Sequence, residues 1–127
     1  MAAPVSVIIP TWNQRGLLDT CLRSLDAQRC REFDIIVVDD GSTDGTADIL
    51  RDRGDIVFIE GAENRGKPHQ LNRAMERSSG ELLVFSDARQ MYDSGALRML
   101  ARNFSDERVG CVSGELVLRT PGDPTGS

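Results

Sequence analysis

The sequence predicts an α/β fold, a mostly parallel open sheet with helices on both faces. Three observations carry that expectation. Short, β-branched and nearly continuous apolar runs recur along the chain, as strands covered on both faces do. Segments with apolar residues at helical spacing separate them, so that strand then helix repeats four times. Most of the unusual polar and glycine-containing segments fall directly after the apolar runs, where an open parallel sheet places its ligands.

The elements follow in order. Val5-Ser6-Val7-Ile8-Ile9 reads as the first strand, and Leu18, Cys21, Leu22 and Leu25 keep the i, i+3, i+4, i+7 rule of a helix with one buried stripe. Ile35 to Val38 is the second strand, followed by a weaker helix over Thr46 to Arg53. Ile56 to Ile59 is the third strand, and Leu71, Ala74, Met75 and Ser78 mark the next helix. Leu82 to Phe85 is the fourth strand, Leu97, Leu100, Ala101 and Phe104 the fourth helix, and Val109 to Val112 a fifth strand. Thr120 to Ser127 holds two prolines and no apolar residue, which predicts a domain over 1–119 and a disordered tail or cut linker over 120–127, with the chain truncated there.

Composition bounds the function. The 127 residues, 39% of them apolar, suit one domain with a core that needs no disulfide or structural metal. Fifteen Lys and Arg against twenty Asp and Glu leave a net charge of −5, which argues against nucleic acid held through phosphate contacts. No apolar run reaches the ~18 to 20 residues of a membrane span, and Met1 to Ser6 lacks the pattern of a signal peptide, so a soluble, cytoplasmic chain is expected. Cys21, Cys30 and Cys111 are odd in number and unrelated in spacing; Cys21 and Cys111 fall in apolar patterns and read as small core residues. His69, the only histidine, lacks the partners of catalytic or zinc chemistry.

The strand ends carry the chemistry. The first ends in Pro10-Thr11-Trp12-Asn13 and the second in Asp39-Asp40-Gly41-Ser42-Thr43-Asp44-Gly45-Thr46. Adjacent side chains point to opposite sides, so Asp39 and Asp40 do not share one ligand. One can accept hydrogen bonds from a base or ribose while the other, with Ser42 and Thr43, satisfies the turn; a capped turn with no ligand is the competing reading. Asp44 and Thr46 suit the cap and start of the next helix. Asn64-Arg65-Gly66-Lys67-Pro68 places two cations at a helix start, an anion site or solvated charge, without the spacing of a Walker loop or a dinucleotide fingerprint. Asp87, after Leu-Leu-Val-Phe-Ser, is a rim carboxylate open to a cation, a helix cap or an ion pair with Arg89. Asp93 and Ser94 suit the cap of the fourth helix.

Together, Val-Ser-Val-Ile-Ile-Pro-Thr-Trp-Asn, Asp-Ile-Ile-Val-Val-Asp-Asp-Gly-Ser-Thr-Asp-Gly-Thr, Glu-Asn-Arg-Gly-Lys and Phe-Ser-Asp-Ala-Arg resemble, in this order, the nucleotide-binding half of family 2 glycosyltransferases. The resemblance covers Val5 to about Leu118 and implies the GT-A, Rossmann-like nucleotide-diphospho-sugar transferase fold. It implies binding of a nucleoside-diphosphate sugar, a UDP-sugar by preference, for inverting transfer to an acceptor hydroxyl. The stretch from Arg102 to Gly114 is similar to membrane-associated, polysaccharide-making members. By the resemblance, Pro10, Thr11 and Asn13 border the nucleoside, Asp39 receives the base, Asp40 is a further substrate contact, and Lys67 lies near base or phosphates. Asp87 matches the first acid of the D-x-D motif, which addresses ribose and a divalent cation, Mg or Mn. The last D-x-D position is Arg89, which puts metal binding in doubt and suggests a direct contact of Arg89 with the diphosphate. The family's acceptor half and catalytic base are expected beyond Ser127. Two other classes fit less of the pattern. A phospho-acceptor receiver domain needs its lysine after the late acid, whereas Lys67 precedes Asp87. A non-catalytic α/β nucleotide-binding or interaction module would use the acidic turn only as a cap.

Overall fold

A computed structural model of the chain describes residues 5–114. The element order is β1 (Val5–Thr11), α1 (Arg15–Asp26), β2 (Phe33–Asp39), α2 (Thr46–Arg51), β3 (Val57–Glu60), α3 (Lys67–Arg77), β4 (Leu82–Phe85) and α4 (Ala96–Arg102), closed by a 3-10 turn over Asn103–Ser105. The four strands form one parallel sheet in the order β3-β2-β1-β4. Strand order therefore reverses between β1 and β4, the crevice where such sheets bind ligands.

Alternation along the strands sorts the core into two layers. Val5, Val7, Ile9, Ile35 and Val37 point to one face and pack on Leu18, Cys21, Leu22 and Leu25 of α1, Leu50 of α2 and Leu97 of α4. Ile8, Ile36, Val38 and Ile59 point to the other face and pack on Ala74 of α3, with Leu71 beside it. The central strands β1 and β2 are covered on both faces, which is why they read as continuous apolar runs. The edge strand β4 is not: Phe85 is 54% exposed.

Leu18, Cys21, Leu22 and Leu25 are the buried stripe of α1, as their spacing requires. The stripe of α3 differs in part. Met75 is exposed and Ser78 lies past the last turn, while Gln70 and Ala74 are the buried residues. Pro68 is the second residue of α3, where its missing N–H costs nothing. The expected fifth strand at Val109–Val112 does not form: the segment has no strand assignment, Cys111 is exposed, and no described strand lies beside it to complete its backbone ladder. A short β-branched run becomes a strand only where a partner edge is available. The tail expected at 120–127 falls outside the described residues.

Candidate functional site

The carboxyl ends of β1, β2 and β4 and the start of α3 enclose a cleft of about 230 Å³, walled by Pro10, Thr11, Trp12 and Gln14 on one side and Asn64, Gly66, Lys67 and Gln70 on the other. Asp40 and Asp87 complete its lining. A second hollow of about 290 Å³, lined by residues that include Glu60, Glu63, Arg65, His69 and Arg73, lies outside the strand-order reversal and mixes both charge signs.

The two acids of the β2 turn divide as the pleat requires, and the division decides which one a ligand meets. Asp39 follows Val37 to the α1 face, is 1% exposed, and accepts from Ser42 N at 3.2 Å and from the Ser42 hydroxyl. Burial pushes its carboxyl above the ordinary range, against the pull of those hydrogen bonds. Asp40 follows Val38 to the α3 face, into the cleft. Its carboxylate accepts from Arg65 N at 2.8 Å, Gly66 N at 3.0 Å and Gln70 Nε2, which ties the strand end to the loop before α3. Asp39, expected to receive a base, stands behind the cleft, and Asp40 is the acid of the pair that lines it.

Gly66 is what lets that loop close. Its φ of +90° and ψ of 159° lie in a region that residues with a Cβ rarely enter, and in that conformation its N–H faces Asp40. Gly41 has a φ of +80°, and a Cβ there would stand 2.9 Å from the Glu63 carbonyl carbon. The acidic turn and the 63–66 loop are therefore in backbone contact.

Asn13, expected beside the nucleoside, is a tie between loops. It has a φ of 47°, donates its N–H to Ser42 Oγ at 2.9 Å and accepts from Thr43 N at 2.8 Å. Thr11 reaches the cleft wall, and its Oγ1 is buried with no hydrogen-bond partner. Asp44 caps α2 from just outside it, accepting from Thr46 and from Arg15 N at 3.1 Å; these bonds, the Thr46 hydroxyl first, hold its carboxyl below the usual range.

At the β4 end, Ala88 is fully buried and pins the turn, so that Asp87 and Arg89 face outward. Arg89 donates its N–H to Asp87 Oδ1 at 2.9 Å, its Nε to the same oxygen at 3.1 Å and Nη2 to Oδ2 at 3.0 Å. The guanidinium holds the Asp87 carboxyl below its ordinary value. Lys67 is exposed at the start of α3 and adds to that lowering through its charge. Among the described residues no group of three or more His, Cys, Asp and Glu side chains is placed to hold a metal.

The cleft brings together Pro10, Thr11, Asp40, Lys67 and Asp87 of the expected site residues, with Arg89 at its rim through Asp87; Asp39 and Asn13 stand behind it. The sequence named Trp12, Asn64 and Gly66 only within their motifs, and Gln14 and Gln70 went unmarked as lining residues. Gln70 carried a signal, since it lies four residues before Ala74 and a helix of that period puts both on the buried face.

An open parallel sheet with its cleft at the strand-order reversal defines the class, a Rossmann-like α/β domain of the nucleotide-diphospho-sugar transferase type. Comparison with known proteins narrows the class to a family. The profile described as Glycosyl transferase family 2 matches residues 6–125, and the chain belongs to that family. It is similar to the PGL/p-HBAD biosynthesis glycosyltransferase of Mycobacterium bovis, with 33% identity over 94% of this chain and 50% of the relative. Among solved structures it is similar to the mannosyltransferase PcManGT from Pyrobaculum calidifontis in complex with GDP-Man and Mn2+, with 32% identity and a TM-score of 0.79 over 90% of this chain and 36% of that one. Staphylococcus aureus TarS 1-349 in complex with UDP-GlcNAc matches with 30% identity and a TM-score of 0.73, covering 94% of this chain and 37% of that one. The chain thus spans half the length of the mycobacterial relative and little more than a third of either solved chain. No helix among the described residues is long and apolar enough to cross a membrane.

Proposed function

We propose that this chain is the donor-binding part of a glycosyltransferase, which holds a nucleoside-diphosphate sugar, by preference a UDP-sugar, for inverting transfer to an acceptor hydroxyl. The observation that carries the reading is the placement of Asp40, Lys67 and Asp87 around one cleft from three separate elements. Asp40 takes the N–H edge of the base, because its carboxylate is held rigid by three donors and still has an open acceptor position. Trp12, 49% exposed at the cleft wall, offers an aromatic face for the base to stack on. Thr11 lines the same wall beside Trp12.

Lys67 and Arg89 serve the diphosphate. Positive charge near the departing diphosphate lowers the barrier to its leaving, and Arg89 supplies a planar fork for phosphate oxygens once it releases Asp87. The acceptor and the general base lie outside the residues named here. A divalent cation is a poor fit to the described donor set. Such ions require several oxygen ligands. Even with Arg89 released, Asp87 offers a single carboxylate, because Asp40 is already occupied by three N–H groups. Charge neutralisation at this cleft therefore rests on Lys67 and Arg89.

Calorimetric titration with UDP tests the reading. Binding is expected with EDTA present, and Asp40→Asn, which replaces part of the acceptor edge with an amide donor, is expected to weaken it by about 1 to 3 kcal/mol. Absence of UDP binding, or equal affinity in Asp40→Asn, contradicts the assignment. Binding that requires manganese in the parent chain, but not in Arg89→Asp, removes the role given to Arg89.

A further inference from the structure

We infer that Gln70 sets the nucleobase specificity of the cleft, by occupying an acceptor position on Asp40 that a guanine would need; the inference rests on the donor-binding reading above. A carboxylate offers about four acceptor positions, two on each oxygen. Oδ1 of Asp40 already receives Arg65 N and Gln70 Nε2, and Oδ2 receives Gly66 N. One position, on Oδ2, remains. The Gln70 side chain cannot turn its amide to yield the other. It is 1% exposed, and its Oε1 accepts from Arg73 Nη1 at 3.3 Å, so a flipped amide would set its carbonyl against the carboxylate and its donor against the guanidinium.

The chemistry of the bases then separates them. Uracil and thymine present one N–H between two carbonyls on this edge, which matches one open acceptor. Guanine presents two adjacent donors, N1–H and N2–H, and its second donor would be enclosed against Asp40 with its partner position filled. Cytosine and adenine set a ring-nitrogen lone pair beside the carboxylate. The two solved relatives described above bind GDP-Man and UDP-GlcNAc respectively, so likeness alone does not choose between bases. The two backbone donors come from the loop itself. The side chain of Gln70 is the one removable donor on the carboxylate, and that makes it the specificity residue.

Inosine diphosphate isolates this effect, because it differs from GDP only in lacking the exocyclic amino group. In calorimetric titrations of the 127-residue chain with UDP, IDP and GDP, IDP is expected to bind about tenfold more tightly than GDP, the scale of one buried donor left unsatisfied. In Gln70→Leu, which removes the amide and keeps an apolar side chain at this buried position of α3, the IDP-to-GDP ratio is expected to fall toward one. Equal affinity for IDP and GDP in the parent chain overturns the inference, and so does a folded Gln70→Leu with the parent's ratio. In both cases UDP binding leaves the donor-binding reading standing. If no nucleotide binds the parent chain, that reading fails and the inference with it. The parent-chain comparison needs no variant, so a poorly folded Gln70→Leu does not block the test.

Discussion

Asp40 and Asp87 are both strand-end carboxylates on the same cleft, yet they are built in opposite ways. Asp40 is 6% exposed and takes its three donors from residues 25 to 30 positions away in sequence. Asp87 has a side chain 28% exposed, and its carboxylate is held by Arg89, two residues on, whose own side chain is 67% exposed. The first is held by the fold, and the second by its neighbours in the chain. A buried carboxylate with donors from several elements stands ready before a ligand arrives, whereas an exposed ion pair separates at little cost. The Asp40 end of the cleft is therefore rigid, and the Asp87 end is free to rearrange.

The sharpest way to break this contrast is to remove the Asp40 carboxylate. Asp40→Ala leaves two backbone N–H groups and the Gln70 amide without an acceptor in a buried setting, and is expected to cost about 3 kcal/mol in urea denaturation. A cost under about 1 kcal/mol would mean that the 64–66 loop is not anchored through Asp40. Gly66→Ala comes next. It forces a Cβ into a strained backbone conformation and is expected to cost about 2 kcal/mol by the same measurement. Retained stability there would show that the loop can relax away from φ +90°.

Much of this architecture was legible in the sequence, and the reasons for the rest are physical. The continuous apolar runs of β1 and β2 and the stripe of α1 announced a two-faced sheet, because period and burial are local properties. The pleat also required Asp39 and Asp40 to part. Which of them meets the cleft depends on sheet register, in which Val38 pairs with Pro10 and Asp39 with Thr11, and a slip of one residue would exchange them. Register and the donors of Asp40 are tertiary facts that no local pattern encodes. The Asp87–Arg89 pair was visible as an option because its partners are two residues apart. The fifth strand at Val109–Val112 misled for the converse reason, since strand propensity is local but a ladder partner is not.

Smaller effects sharpen the contrast through pH. Asp87 has its carboxyl lowered by Arg89, so its contribution to stability is present above the ordinary carboxylate value of 3.8 and is lost as pH falls through the lowered one. Asp87→Asn is expected to change stability at neutral pH by under about 0.5 kcal/mol and to alter only the acid limb of a stability profile. Asp39 has the opposite sign. Its carboxyl is raised by burial, so its contribution is full below 3.8 and declines as pH rises through the raised value. Asp39→Asn is expected to remove that decline, and a profile unchanged from the parent would show that Asp39 does not titrate in this range. The smallest expected effect is one of reactivity. The buried Cys21 thiol is pushed up to about 11 and Cys111 is exposed, so at pH 8 iodoacetamide is expected to label Cys111 well before Cys21, read by peptide mass mapping. Rapid labelling of Cys21 would show that the α1 face opens.

The central claim is that a nucleoside diphosphate enters on the Asp40 face of the sheet and not on the Asp39 face. Nitrogen-15 heteronuclear NMR of the 127-residue chain during UDP titration tests it most directly, because the two faces carry different backbone amides. The account predicts saturable shifts at Thr11, Trp12, Arg65, Gly66 and Lys67, with the Ser42 and Thr43 amides behind Asp39 little moved. Shifts centred on Ser42 and Thr43, with Arg65 and Gly66 unmoved, would contradict it.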